Sequence, residues 1–232
     1  MSVPSLPLPD SPFPGIPSLC QGVVDLTRSS LAELAVTGSF HPAGSPIHKT
    51  AARQREYLAS RRLAEQVLRR QGCGGQVSGE GATTSWPAGF VGSISHSPTL
   101  AAVLVSPTTV HIAVGIDTEM LVDNASQEYI VRYCLRDSEW RQSLAQAALG
   151  ERELASLLFS AKEAWFKCLY PCIRSRFDFT DVETLAIKPE EGGIALRLVR
   201  KLSESFPAGY AAHGRYRFVS GHVFTVFTLP AP

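Results

Sequence analysis

Apolar runs along the chain alternate with polar, proline-rich and glycine-rich segments. The spacing of apolar residues within each run distinguishes predicted helices from predicted strands. Residues 50–70 are rich in Ala, Arg, Glu, Gln and Leu and contain no Gly or Pro, which predicts a helix that the following glycines end. A stronger helix is predicted over 154–170, ended by Pro171, and the stretch 128–149 is helical in pieces. Short apolar or alternating runs predict strands over 101–105, 111–116, 194–199, 210–219 and 223–229.

Each half of this pattern holds one long helix and several short strands, so we predict an α+β fold in two lobes of similar size. The apolar runs on either side of Pro107 are expected to pair as neighbouring strands, and Ser220-Gly221 is expected to turn between the last two strands. Residues 1–20 hold six prolines, which predicts an extended N-terminal arm. The predicted boundaries are 1–20 for the arm, 21–114 for the first lobe and 115–232 for the second.

Composition places the chain among globular proteins. Of its 232 residues, 44% are apolar and 19% are charged, which excludes a mostly disordered chain. The net charge of +1 gives no support to a general nucleic-acid or anionic-membrane binder. No apolar run approaches the roughly 18 residues of a membrane helix, and no secretory leader is visible. The five cysteines are odd in number and include no CxxC pair, which is typical of a reducing compartment, so we expect a cytoplasmic protein.

Two carboxylates follow an apolar, strand-like run. Asp117 and Glu119 are two residues apart, so both side chains leave the same face of a strand. Two carboxylates on one face repel each other unless a proton or a cation lies between them. Hard oxygen ligands of this kind suit Mg²⁺, with Mn²⁺ as an alternative. The other interpretation of so short a pattern is a solvated strand end.

A second group of charged residues lies in the predicted helix over 154–170. Glu163 and Lys167 are four residues apart, and Lys162 lies beside the acid. On an exposed helix this would be a weak surface ion pair. The aromatic residues around it indicate a packed helix instead, so the acid and its lysine are expected to border a buried surface. Glu163 could there complete a metal site with the two strand carboxylates, and a lysine could neutralise phosphate charge.

Two further segments could bind a phosphorylated ligand. Residues 92–97 are predicted to form a small-residue loop, in which Ser95 offers a hydroxyl and His96 can donate to a phosphate. These two neighbours cannot easily face each other as nucleophile and base. Arg53 and Arg61 lie two turns apart, about 12 Å along the first helix, and could hold two oxyanions of an extended ligand. The alternatives are a structural histidine and a solvated basic helix face.

In this order and at this spacing, the segments resemble the 4′-phosphopantetheinyl transferases, specifically the siderophore-synthetase and Sfp-like type. The resemblance rests on residues 53–61, Trp86-Pro87, 92–96, 115–119 and 159–167, which extend over about half of the chain. It implies two α+β lobes related by a pseudo-twofold axis, with the active site in the cleft between them.

The resemblance also implies an activity, the transfer of the 4′-phosphopantetheine group of coenzyme A to a serine of an apo acyl or peptidyl carrier protein. Adenosine 3′,5′-bisphosphate would be released, and the pathway would make siderophores, polyketides or nonribosomal peptides. The implied metal ligands for Mg²⁺ are Asp117, Glu119 and Glu163. The implied catalytic residues are Glu163, Lys167 and Glu119. The implied coenzyme-binding residues are Arg53, Arg61, Ser95, His96, Lys162 and Lys167. A monomer without a nucleic-acid partner is expected.

The chemistry of the residues agrees with this assignment, because attack of a serine on a phosphoanhydride needs charge neutralisation, positioning and a base. Glu163 and a water held by Glu119 are both candidates for the base. Three positions depart from the family's pattern. Ser60 replaces a common Gly, Ala82 lies where some relatives have a basic residue, and Thr118 replaces an aliphatic residue.

Two other functions stay open on the residues alone. One is a non-catalytic module that binds carrier proteins, although a cluster of acids with a lysine has no evident use there. The other is a metal-dependent phosphohydrolase that acts on nucleotides. An assay with coenzyme A and an apo carrier separates the three functions by their products.

Overall fold

The structure is a computed structural model that describes residues 13, 20–26, 50–79 and 84–232. The chain divides into two compact units. The first comprises Met1–Ile112 with Pro230–Pro232, and the second comprises Ala113–Leu229. The predicted proline-rich arm lies outside the described residues, except for its positions 13 and 20. Among the helices of the described ranges, none is long and apolar enough to cross a membrane.

The first unit pairs one helix with a three-stranded antiparallel sheet. Its elements are β1 (Cys20–Asp25), α1 (Ala51–Arg70), β2 (Phe90–His96) and β3 (Leu100–Pro107), and the strand order is β1-β3-β2. The side chain of Thr50 caps α1 by accepting from the backbone N–H of Arg53. The helix has an apolar stripe, formed by Leu63, Ala64, Val67 and Leu68, which packs against Val103 and Val105 of β3.

Two predictions for this region are wrong. Residues 92–96, predicted as a loop, belong to strand β2, which pairs with β3 in the register Gly92↔Val105 to His96↔Ala101. Small polar residues obscured the strand because its buried positions carry serine hydroxyls instead of apolar groups. The runs on either side of Pro107 also do not pair with each other. Strand β3 has β1 on one edge and β2 on the other, so the following strand joins a different sheet.

The second unit contains a five-stranded sheet and three α-helices among its described elements. Along the chain these are β4 (His111–Met120), α2 (Asn124–Tyr133), α3 (Asp137–Gln146), α4 (Glu151–Ile173), β5 (Val182–Lys188), β6 (Gly193–Leu198), β7 (Ala211–Val219) and β8 (His222–Pro230). The strand order is β4-β8-β7-β6-β5. Helix α4 buries Leu154, Leu157, Leu158, Trp165 and Leu169 in the core of this unit. The α+β prediction is confirmed.

Helix α4 is longer than predicted, because Pro171 lies inside its last turn instead of ending it. The backbone N–H of Arg174 donates to the carbonyl of Tyr170 at 2.8 Å and closes the helix beyond the proline. Arg174 itself is left-handed, with φ of 49°. A proline removes a single N–H, and near a helix end that loss leaves the final hydrogen bond intact.

The turn between β7 and β8 is confirmed. Ser220 and Gly221 have φ of 50° and 76°, the two positive values of a type I′ turn, and Val219 pairs with His222. Strand β5 was not predicted. Its pairing with β6 is interrupted between Thr184 and Ala186, and this irregularity breaks the alternation by which a sequence reveals a strand.

Candidate functional site

A close approach of β4 to α4 builds the acidic site of the second unit. Gly115, Asp117 and Glu119 alternate along β4 and therefore share one face of the strand. A Cβ atom at Gly115 would lie 2.0 Å from the carbonyl oxygen of Ala164 and 2.6 Å from the backbone nitrogen of Cys168. Only glycine allows this strand backbone to touch the helix. The contact brings the two carboxylates of β4 over the face of α4 that carries its own charged residues.

An ion pair between Asp117 and Lys167 joins the strand to the helix. Lys167 Nζ donates to Asp117 Oδ1 at 2.6 Å. The Asp117 side chain is 2% exposed, whereas that of Lys167 is 27% exposed. The lysine thus holds a buried carboxylate while part of its own side chain reaches solvent. This is the orientation that a basic group needs in order to meet an incoming anionic ligand.

Two further carboxylates share the field of this pair. Burial raises the pKa of Glu119 to about 7, and the charges of Asp117 and Glu163 raise it as well, while Lys167 opposes them. Burial also raises the pKa of Glu163, where Lys167 lowers it and Asp117 raises it. Three acids and one ammonium therefore lie close enough to perturb one another. Such a group has an excess of negative charge that a cation or a proton can relieve.

The metal site itself stays a prediction. Within the described part of the chain, no three His, Cys, Asp or Glu side chains are already gathered as a ligand set for a metal ion. In this structure, Asp117 contacts the ammonium of Lys167. The donor set is nevertheless of the right chemistry, since carboxylate oxygens are the ligands that Mg²⁺ prefers.

The structure disagrees with the expectation that Lys162 binds coenzyme A. Its side chain is 1% exposed and forms an ion pair with the fully buried carboxylate of Glu139, with Nζ 2.9 Å from Oε2. The ammonium also donates to the carbonyls of Cys134 at 2.9 Å and Phe179 at 3.0 Å. An ammonium has three hydrogens, and three protein oxygens accept them. Burial lowers the pKa of Lys162 and the contact with Glu139 opposes that shift. Lys162 is therefore a structural residue.

In the first unit, a carboxylate joins two of the predicted ligand-binding residues. Glu56 Oε2 lies 2.9 Å from Arg53 Nη1 and 3.6 Å from His96 Nδ1. The side chains of Arg53 and His96 are 58% and 38% exposed. Helix α1 and strand β2 thus present an arginine and a histidine side by side, with their accessible groups held by one acid.

Arg61 and Ser95 are placed differently from that pair. Arg61 is buried beside the ring of Tyr57, and its Nη2 donates to the carbonyl of Gly79 at 2.6 Å. Ser95 is buried as well, on β2 next to the exposed His96. The structure therefore brings Arg53 and His96 together and does not place Arg61 with them.

The departures from the family's pattern are accommodated locally where they are described. Ser60 is buried in α1, where its hydroxyl donates to the carbonyl of Tyr57 at 2.9 Å. Thr118 is fully buried between the two acids of β4. Ala82 lies outside the described residues.

Two residues of these sites were missed by sequence reasoning. Glu56 lies three positions after Arg53, a helical spacing that could have indicated the ion pair. Glu139 gave no signal, because its partner Lys162 is 23 residues away and the two meet only through tertiary packing.

Comparison with known proteins decides the family. The model of the 4′-phosphopantetheinyl transferase N-terminal domain matches residues 47–106, and that of the 4′-phosphopantetheinyl transferase superfamily matches residues 113–218. The 4′-phosphopantetheinyl transferase Svp of Streptomyces mobaraensis is 30% identical over 190 residues, which cover 78% of this chain and 74% of that protein. The chain belongs to the 4′-phosphopantetheinyl transferase superfamily. The resemblance drawn from the sequence is confirmed, and with it the assignment to a class of transferase enzymes.

Two further relatives align over shorter stretches. Enterobactin synthase component D of Salmonella typhimurium is 34% identical over 123 residues, 51% of this chain and 50% of that protein. The Escherichia coli protein of the same name is 34% identical over 122 residues, 52% of this chain and 56% of that protein. The chain thus spans about half the length of these two relatives. Among solved structures, the holo-[acyl-carrier-protein] synthase of Thermotoga maritima matches with a TM-score of 0.40 and 25% identity, over 53% of this chain and 65% of that one.

Proposed function

We propose that this chain transfers the 4′-phosphopantetheine group of coenzyme A to a serine of an apo carrier protein. The observation that carries the proposal is the Asp117–Lys167 ion pair with Glu119 and Glu163 around it, at the positions through which the chain resembles its family. The proposed partners are acyl or peptidyl carrier domains of siderophore, polyketide or nonribosomal peptide synthesis.

The proposed reaction is a phosphoryl-type transfer. The serine oxygen of the carrier forms a bond to the phosphorus that bears pantetheine, and the phosphoanhydride bond to the nucleotide breaks. Adenosine 3′,5′-bisphosphate leaves with the electron pair of that bond. The serine proton passes to Glu163 or to a water held by Glu119, the two candidate bases. Lys167 would turn its ammonium from Asp117 to the phosphate oxygens, where negative charge increases in the transition state.

Asp117, Glu119 and Glu163 are proposed to hold a divalent cation, Mg²⁺ in the first place. The three acids fit a cation because of their charge. Burial and mutual repulsion disfavour the ionised forms of Glu119 and Glu163, and a bound cation would stabilise those forms. When bound, the ion would supply charge neutralisation on the pyrophosphate. A cation among the three acids would also free Lys167 from its contact with Asp117.

The nucleotide end of coenzyme A is proposed to bind residues of the first unit. Arg53 and His96 are the accessible pair and would contact phosphate oxygens by charge-assisted hydrogen bonds. Arg61 and Ser95 stay in the proposal as predicted coenzyme-binding residues whose side chains are buried. Lys162 is removed from it, because its three hydrogens already have protein acceptors.

The proposal is tested with purified chain, coenzyme A, Mg²⁺ and an apo carrier protein, followed by intact-mass analysis of the carrier and analysis of the small products. Transfer predicts a carrier heavier by one phosphopantetheine group and an equal amount of adenosine 3′,5′-bisphosphate. Small products without a change in carrier mass would indicate a phosphohydrolase. Carrier binding without any product would indicate a non-catalytic module. Either of the last two results contradicts the proposal.

A further inference from the structure

Glu56 is the one side chain among the described residues that the structure records in ion-pair distance of both Arg53 and His96. A single oxygen, Oε2, lies 2.9 Å from Arg53 Nη1 and 3.6 Å from His96 Nδ1. The two basic side chains come from different elements, α1 and β2, whereas the carboxylate is only 16% exposed. The acid is thus the anchored member of the group, and the two more exposed side chains converge on it.

This arrangement has little value as a stabilising device. Arg53 is 58% exposed and His96 is 38% exposed, and ion pairs with such exposed partners contribute little to stability. Another acid on the same helix shows what an ordinary pair looks like there. Glu65 is 17% exposed, and its carboxylate lies 3.8 Å from the guanidinium of Arg69, four residues along α1. The two acids are alike in burial and differ in what they hold.

A carboxylate beside a phosphate-binding group has two opposite effects on an anionic ligand. Its charge repels the phosphates and weakens binding. It also fixes two flexible donors in one place before the ligand arrives, which lowers the entropy that binding must remove.

We propose that Glu56 is a positioning residue, which orients Arg53 and His96 for the phosphates of the nucleotide end of coenzyme A. This inference rests on the proposed function, and it adds to that function a residue that touches the ligand only through its two neighbours. Arg53 and His96 would bind the nucleotide and take no part in bond breaking. Loss of Glu56 should therefore weaken the binding of coenzyme A and leave the chemical step unchanged.

The test measures three quantities for wild type, Glu56→Gln and the matched control Glu65→Gln. These are the Kd of coenzyme A by calorimetry, the KM and kcat for coenzyme A with an apo carrier, and the melting temperature. Glu56→Gln should raise both Kd and KM roughly tenfold, as loss of a positioning partner does at ligand sites, with kcat within about twofold of wild type. Glu65→Gln should match wild type in all three quantities, and the two variants should have the same melting temperature.

Each other outcome overturns a defined part of the account. If Glu56→Gln binds coenzyme A as well as Glu65→Gln does, or more tightly, the carboxylate does not position Arg53 and His96. If Glu56→Gln melts well below Glu65→Gln, the role is structural. If kcat falls while KM is unchanged, Glu56 acts on the reaction instead. If wild type neither binds coenzyme A nor modifies a carrier, the proposed function itself has failed.

Discussion

Helix α4 carries two lysines whose carboxylate partners lie on other elements, and the surroundings of the two ion pairs differ completely. Lys162 and Glu139 are 1% and 0% exposed, and every hydrogen of the ammonium has a protein acceptor. Lys167 is 27% exposed, and its partner Asp117 lies in the field of two more acids. The first pair is saturated and buried. The second pair lies among further carboxylates and is partly exposed to solvent, so a ligand can reach it.

The difference follows from helical geometry. Residues of an α-helix are about 100° apart, so Lys162 and Lys167 point about 140° away from each other, whereas Glu163 and Lys167 are only about 40° apart. Adjacent positions in a motif therefore do not share a surface, whereas positions three or four residues apart do. By this criterion alone, Lys162 does not belong to the surface that Glu163 and Lys167 share.

The largest effect is expected from Asp117→Asn, which keeps the shape of the side chain and removes its charge. Without this carboxylate, Lys167 loses its partner and the proposed cation loses a ligand, so transfer should fall by about 10³-fold or more. The variant should stay folded, because removing one of three mutually repelling acids relieves strain. The measurement is the rate of carrier modification by intact mass. Asp137→Asn, an exposed acid on α3, is the control and should react at the wild-type rate.

Lys167→Ala should lower kcat by about 10²-fold with little change in KM for coenzyme A, since its ammonium is proposed to act on charge that increases in the transition state. Steady-state kinetics with a saturating carrier gives both constants. Lys188→Ala is the matched control, because Lys188 also pairs with an acid, Glu191, but is 66% exposed. A raised KM with an unchanged kcat would assign Lys167 to ground-state binding instead.

Lys162→Met should act on stability instead of on the reaction. It leaves the buried carboxylate of Glu139 without its cation, a change that costs about 3–5 kcal/mol of unfolding free energy. Urea unfolding measures this loss. The double variant Lys162→Met with Glu139→Gln should recover part of it, because no uncompensated charge is left buried. A single variant as stable as wild type would show that the pair is not the structural element described above.

The smallest effect concerns pH and Glu119. The pKa of Glu119 is raised from 4.5 to about 7 in the folded chain. Between these values the folded state keeps a proton that the unfolded state releases, so this residue's contribution to stability is complete below pH 4.5 and is lost as pH rises through 7. The loss should reach at most about 3 kcal/mol. Unfolding in EDTA across this range should show the decline in wild type and a flatter profile in Glu119→Gln. Equal slopes would contradict the assignment.

Much of the fold could be predicted because its signals are local. Helix α1 follows from an uninterrupted run of helix-forming residues, and the β7–β8 turn follows from Ser220-Gly221. What failed depends on distant partners. Strand β2 buries serines, which give no apolar alternation, and the sheet to which β4 belongs is decided by strands much later in the chain.

The candidate site divides in the same way. Asp117, Glu119, Glu163 and Lys167 are found by spacing within a strand and within a helix, and Gly115 brings these two elements together. The buried state of Arg61 could not be predicted, because it depends on an acceptor at Gly79, 18 residues away. Sequence spacing thus identifies residues on one element, whereas the environment of each side chain is a tertiary property.

We propose that Asp117, Glu119 and Glu163, the acids around Lys167, hold a divalent cation. Mn²⁺ titration by calorimetry, in the presence of coenzyme A, tests it most directly on wild type, Asp117→Asn and the control Asp137→Asn. We predict one Mn²⁺ per chain in wild type and in the control, with affinity at least about tenfold weaker in Asp117→Asn. Binding of the same affinity in Asp117→Asn as in wild type would contradict the claim.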